Sequence, residues 1–166
     1  MMTREEIQSI RKSFRLLHGK TEVVAMLFYN RLFWLDPSLR MRFCRDMTEQ
    51  GKKLVDAMLV LSGSLDRLST LRPTLQHMGK QYAGYGFRPQ DYGTVATALV
   101  ETLEELVGPR FNKALERIWT KLLGLLSSEM LEGAAEAETA ETVALNIGAW
   151  ERKPAVASRS VRHRCG

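Results

Sequence analysis

The stretch LDRLSTLRPTLQHMGKQYAGYGFRPQDY (65–92) decides the fold. It spaces apolar residues as a helix does, with Pro73 near a helix start and Gly84 and Gly86 near its end. Arg88-Pro89 then breaks the chain. Beyond the break, Tyr92, Val95, Ala96, Leu99 and Leu103 line the inner face of another helix. No segment alternates apolar and polar residues over strand length.

Working outward, the same helical spacing fills the chain. Thr3-Arg4-Glu5-Glu6 forms a capping box, in which the hydroxyl and the carboxylate each satisfy a free backbone donor. Ile7, Ile10, Phe14 and Leu17 follow on one face, until His18-Gly19 ends the helix. A second helix starts near Thr21, with Val24, Leu27, Phe28 and Leu32 inward. Asp36-Pro37 stops it and opens a short helix that delivers Phe43. Residues 46–62 give the next helix, with Leu54, Ala57, Met58 and Leu61 on one face. After Gly108-Pro109, a long helix runs from about Asn112 to Leu131, with Leu115, Ile118, Leu122, Leu125 and Leu126 inward. Residues 133–166 change character, from Ala/Glu-rich to Arg-rich around Pro154. They are expected to be a flexible tail to a single domain of residues 1–132.

Composition bounds the function. The 166 residues are 45% apolar and 26% charged, enough for one domain with a core and not for two. Two Cys, Cys44 and Cys165, exclude a disulfide framework and a multi-thiolate zinc site. The net charge of +5 is scattered, with no Lys/Arg run beyond Lys52-Lys53, so neither nucleic acid nor a membrane is an expected partner. The N-terminus does not read as a signal peptide, and the longest apolar run, Val23–Phe28, is too short to span a bilayer. A cytoplasmic location with reduced thiols is expected. No phosphate-binding glycine loop, nucleophile elbow or paired-His motif is present, so no conventional enzyme is expected. Cys44 is expected to be an inert thiol.

Four segments together resemble the globin family: FYNRLFWLDPSLRMRF (28–43), EQGKKLVDAM (49–58), residues 65–92, and GPRFNKALERIWTKLLG (108–124). They are similar to bacterial single-domain globins and to the globin domain of flavohaemoglobins, over about residues 5–131. The resemblance implies an all-α fold of six to eight helices in a three-on-three arrangement, and haem b as cofactor. It implies that Phe43 packs flat on the haem and that Tyr29 hydrogen-bonds a bound diatomic gas. Gln50 stands at the gate of the distal side, and its amide can donate to a ligand. Leu54, on the Gln50 face, is the apolar distal wall, and Lys53 reaches a haem propionate or solvent. Tyr92 matches a tyrosine behind the iron ligand. Its carboxylate partner has no counterpart, and no flavin or nicotinamide domain is expected.

At the iron-ligand position, seven residues before the Pro of the Arg-Pro break, relatives carry His. This chain carries Tyr82, 32 positions after Gln50, the spacing expected without an insertion. Only three His are present, His18, His77 and His163. His77 lies five residues before Tyr82, about 140° around a helix, so it faces elsewhere. Tyrosine binds iron as phenolate and favours Fe(III), as in catalase-type haem. The resemblance therefore implies an atypical globin with Tyr82 as the haem-iron ligand and a gas- or redox-sensing role. The alternative is a haem-free globin domain, its pocket filled by aromatic side chains, that regulates a protein partner. A homodimer through helix faces is compatible with either.

Overall fold

A computed structural model of the chain describes residues 1–43 and 46–150, the last six as backbone only. Six α-helices form: α1 (Arg4–Leu16), α2 (Thr21–Leu35), α3 (Met47–Ser64), α4 (Arg72–Gly84), α5 (Pro89–Val107) and α6 (Lys113–Trp150). Short 3-10 segments cover Pro37–Arg42, Leu65–Leu71 and Gly108–Arg110. Among the described residues no strand forms. α2 packs on α5, and α5 on α6. α4 lies along α6, α1 against α6, and α3 against α2, which gives the expected three-on-three arrangement.

The helix starts obey local chemistry. Thr3 Oγ1 accepts from the Glu6 amide at 3.2 Å while the Glu6 carboxylate accepts from the Thr3 amide at 2.7 Å. Asp36 accepts from the Ser38 amide, Asp46 from those of Thr48 and Glu49, and Asn112 from that of Leu115. Each cap satisfies amides that have no partner within the helix. Gly86, at φ +84°, makes the turn from α4 to α5, where a side chain would be strained.

Ile10, Leu32, Leu39, Leu65, Leu103, Trp119 and Leu122 are fully enclosed. The Trp119 indole N–H donates to Ser13 Oγ at 3.1 Å, so the largest core side chain leaves no polar atom unpaired. The expected inner face of α3 is only partly enclosed, since Leu61 is buried and Ala57 is exposed.

The α4–α6 contact is the most extensive in the molecule, and glycines make it possible. A Cβ on Gly79 would stand 1.8 Å from the Met130 carbonyl oxygen, and one on Gly133 would stand 2.1 Å from that of Gln76. The two backbones touch at these two notches. Around them, Arg72 pairs with Glu129 and Glu132 at 3.0 and 2.9 Å, and Lys80 with Glu136 at 3.8 Å. These exposed pairs contribute little each; the glycine contact sets the distance.

α6 differs from expectation. It does not end near Leu131 with a tail from 133, but continues helical to Trp150. Ala and Glu are strong helix formers, no Pro interrupts before Pro154, and the one Gly in the stretch just past Leu131, Gly133, is buried against α4. Residues 132 and 133 therefore lie inside this helix. His163, Cys165 and Cys44 lie outside the described residues.

Candidate functional site

The site is built around a chain of rings that runs from α2 to α5. Tyr29, buried on α2, meets Phe28, Phe33 and Phe43 with ring centroids at 4.9, 5.9 and 5.6 Å. Phe43, directly after the first 3-10 segment, meets Phe33 at 5.9 Å and Phe87 at 6.0 Å. Phe87 meets Tyr82 of α4 at 5.4 Å and Tyr92 of α5 at 5.1 Å. Most of these contacts are edge-to-face, the favoured geometry for aromatic quadrupoles.

A carboxylate fixes the ends of this chain. Asp91, in the first turn of α5, is 1% exposed. It accepts from the Arg88 amide at 2.7 Å, from the Arg88 guanidinium at 2.8 Å, and from Arg42. Arg88 also lies 3.6 Å from Asp36. Asp36 and Arg42 bracket the 3-10 segment, so the cluster ties that segment to the start of α5 and holds Phe43 beside Phe87. Burial opposes the Asp91 charge. The hydrogen bonds from the Arg88 side chain and backbone and the Arg42 charge outweigh it, and hold the carboxyl below the usual range.

Three tyrosine hydroxyls in this region are poorly satisfied. Tyr29 donates to the Gln50 carbonyl oxygen at 3.4 Å, a long bond. Tyr82 makes ring contacts with Phe87 and Tyr85, but its hydroxyl has no hydrogen bond among the described residues. The Tyr92 hydroxyl is fully enclosed and unpartnered. Burial raises all three pKa values. The Tyr85 charge adds at Tyr82, the Tyr82 charge at Tyr29, and Tyr82 and Asp91 at Tyr92. Each phenol is therefore a neutral donor in the protein alone.

Of the residues expected at the site, Tyr29, Phe43, Tyr82 and Tyr92 thus belong to one connected cluster. Gln50 is buried in the first turn of α3, and Leu54, one turn on, packs half-buried against the core. Lys53 is exposed. His77 is exposed on α4, as its angular offset predicts. Sequence reasoning missed Phe33 and the Asp91 cluster. Phe33 lies four residues after Tyr29, one turn along the same helix face. Asp91 is readable as the carboxylate of an Arg-Pro-x-Asp capping box.

The cluster offers an oxygen donor, the Tyr82 hydroxyl, in the same chain of rings as Tyr29. No side chain named in it is a His. The donor set fits a haem held through oxygen and does not fit one held through imidazole nitrogen.

Comparison with known proteins decides the family. The globin family model matches residues 27–130. The chain belongs to the globin family. It is 26% identical over 155 residues to the flavohemoprotein of Vibrio cholerae, across 90% of this chain and 38% of that protein. It therefore spans well under half of that relative's length. It is 28% identical to the neuroglobin of Danio rerio across 76% of this chain and 89% of that one. Among solved structures, an engineered carbene transferase derived from a putative nitric oxide dioxygenase of Rhodothermus marinus superposes with TM-score 0.76 at 22% identity. It covers 86% of this chain and 99% of its own. A bacterial globin from Campylobacter jejuni superposes with TM-score 0.72 at 21% identity, across 82% and 99%. These likenesses establish the globin fold. Globins generally bind haem and diatomic gases. No helix of this globin, among the described residues, is long and apolar enough to cross a membrane.

Proposed function

We propose that this globin binds haem b through Tyr82, holds its iron ferric, and serves as a diatomic-gas or redox sensor rather than as an oxygen carrier or an enzyme. The observation that carries the reading is the Tyr82 hydroxyl. Tyr82 is half-buried against Phe87, and its hydroxyl has no hydrogen bond among the described residues. It also has an enclosed, unpartnered Tyr92 hydroxyl within electrostatic reach.

Haem, when bound, supplies an iron whose affinity for an anionic oxygen replaces the affinity for imidazole. The remaining chemistry belongs to the chain. Burial keeps the proton on Tyr82, so ligation releases it. The enclosed Tyr92 hydroxyl has no partner of its own, and a shift that brought it to the phenolate would give a bond that favours the charged form. Tyr29 and the Gln50 amide would supply donors to a bound ligand, and Phe43 and Leu54 would supply apolar contact beside them. Phenolate stabilises Fe(III), whereas reversible oxygen binding needs Fe(II), which sets this site apart from an oxygen store.

The ring chain supports a second reading. Tyr29 is already connected to Tyr82 through Phe43 and Phe87, as expected of a haem-free globin that regulates a protein partner from its surface. Titration of the purified chain with haemin separates the two. Saturable growth of a Soret band at one haem per chain supports the first reading. An unchanged haemin spectrum supports the second.

A further inference from the structure

We propose that the cleft between α1, α2 and α3 binds a single-chain aliphatic carboxylate, independently of the aromatic cluster. The cleft has a volume of about 570 Å³, within the range of small-molecule sites. Its walls are apolar: Phe14, Leu17, Val24, Val55, Met58 and Leu59. Leu59 is 63% exposed at the lip, and with the neighbouring Val60 it leaves apolar surface in water that an aliphatic chain would cover.

The polar end of the cleft carries the Arg15 guanidinium. Arg15 and His18 stand at the turn from α1 to α2 and line the same cleft. Arg11, also in the lining, is engaged by Asp66. Among the described residues, Arg15 and His18 make no ion pair or side-chain hydrogen bond. The Thr21 and Ser62 hydroxyls, also in the lining, are likewise unbonded there. A guanidinium binds a carboxylate bidentately. A free guanidinium beside an apolar trough therefore selects an aliphatic chain ending in an anion over a neutral or cationic one. None of the aromatic cluster's residues lines this cleft, so its occupancy does not depend on haem.

The test is calorimetric titration of the full chain with dodecanoate below its micellar concentration, with dodecyltrimethylammonium as the cationic counterpart. One saturable site is expected for dodecanoate, and binding of the cation is expected to be at least about tenfold weaker. Arg15→Glu is expected to weaken dodecanoate by about tenfold or more. Met58→Trp, which fills the trough, is expected to abolish binding while leaving the haemin titration unchanged. Leu59→Asp, at an exposed position that does not threaten folding, is expected to weaken dodecanoate by a similar factor. The proposal is overturned by the absence of saturable binding, by equal affinity for the cationic amphiphile, or by wild-type affinity in both Arg15→Glu and Leu59→Asp.

Discussion

The ring of Tyr82 lies 5.4 Å from that of Phe87, tilted by 48°, so the residue we propose as the iron ligand is held by a side chain from the α4–α5 connection. Phe87 in turn meets Phe43 and Tyr92 edge-on. One phenylalanine thereby joins three separate segments of the chain. Phe87→Ala is expected to destabilise the protein by about 2–4 kcal/mol, toward the lower part of the range for aromatic truncation because the side chain is only half-buried. The midpoint of urea unfolding measures this. A loss below 0.5 kcal/mol, on the order of an ordinary surface substitution, would show that the ring contacts carry no packing energy.

Gly79 and Gly133 set the distance between α4 and α6, because a Cβ on either would collide with backbone across the interface. Backbone cannot rotate away as a side chain can. Gly79→Ala is therefore expected to cost about 3 kcal/mol, at the upper end for overpacking. Gly124→Ala, in the same helix as Gly133 but with nothing within 4 Å of the added Cβ, is expected to stabilise by about 0.5–1 kcal/mol through helix propensity. Thermal unfolding of the two variants should shift in opposite directions.

Asp91 gives the protein an acid sensitivity. Its folded pKa is held below the unfolded value of about 3.9. The stability from its ion pairs is thus fully present above that pH, and is lost as pH falls through the lower folded value. Asp91→Asn is expected to lower stability at neutral pH by about 3 kcal/mol, because it leaves Arg42 facing a lost partner at a buried site. It is also expected to flatten the fall in stability below pH about 4. Denaturation curves at pH 7 and pH 3 on both proteins check it; a wild-type pH dependence in the variant would contradict it.

Tyr29 offers a contrast. Its 3.4 Å bond to the Gln50 carbonyl oxygen is too long to contribute much, so Tyr29→Phe is expected to change stability by less than about 1 kcal/mol. In the haem-loaded protein the same change is expected to speed dissociation of a diatomic ligand by about tenfold, because the distal hydroxyl donor is gone. Flash photolysis or stopped-flow mixing reads that rate; an unchanged rate would remove Tyr29 from the distal side.

The helices were legible in the sequence because apolar spacing and caps are local. Thr3 with Glu6, Asp36 and Asn112 all act at helix starts where the residue types place them. The family resemblance rested on four segments and was also legible. What was not legible depends on contacts between distant parts. Gly79 and Gly133 look like weak points in two helices until the helices cross at them. Arg42 and Asp91 are 49 positions apart, and nothing local predicts their meeting. The Ala/Glu-rich stretch after Leu131 has no clear apolar stripe and so reads as tail, although its intrinsic helix propensity is high and α6 runs through it. The cleft between α1 and α3 is a gap between faces, and no residue pattern announces a gap.

The ferric absorption spectrum of the haem-loaded protein, compared with those of Tyr82→Phe and Tyr82→His, tests the central claim most directly. The account predicts a Soret band with a phenolate-to-iron charge-transfer band in the wild type. It predicts loss of the charge-transfer band with weakened haem binding in Tyr82→Phe, and an imidazole-type spectrum in Tyr82→His. A wild-type chain that takes up no haem, or one whose spectrum is unchanged in Tyr82→Phe, would contradict it.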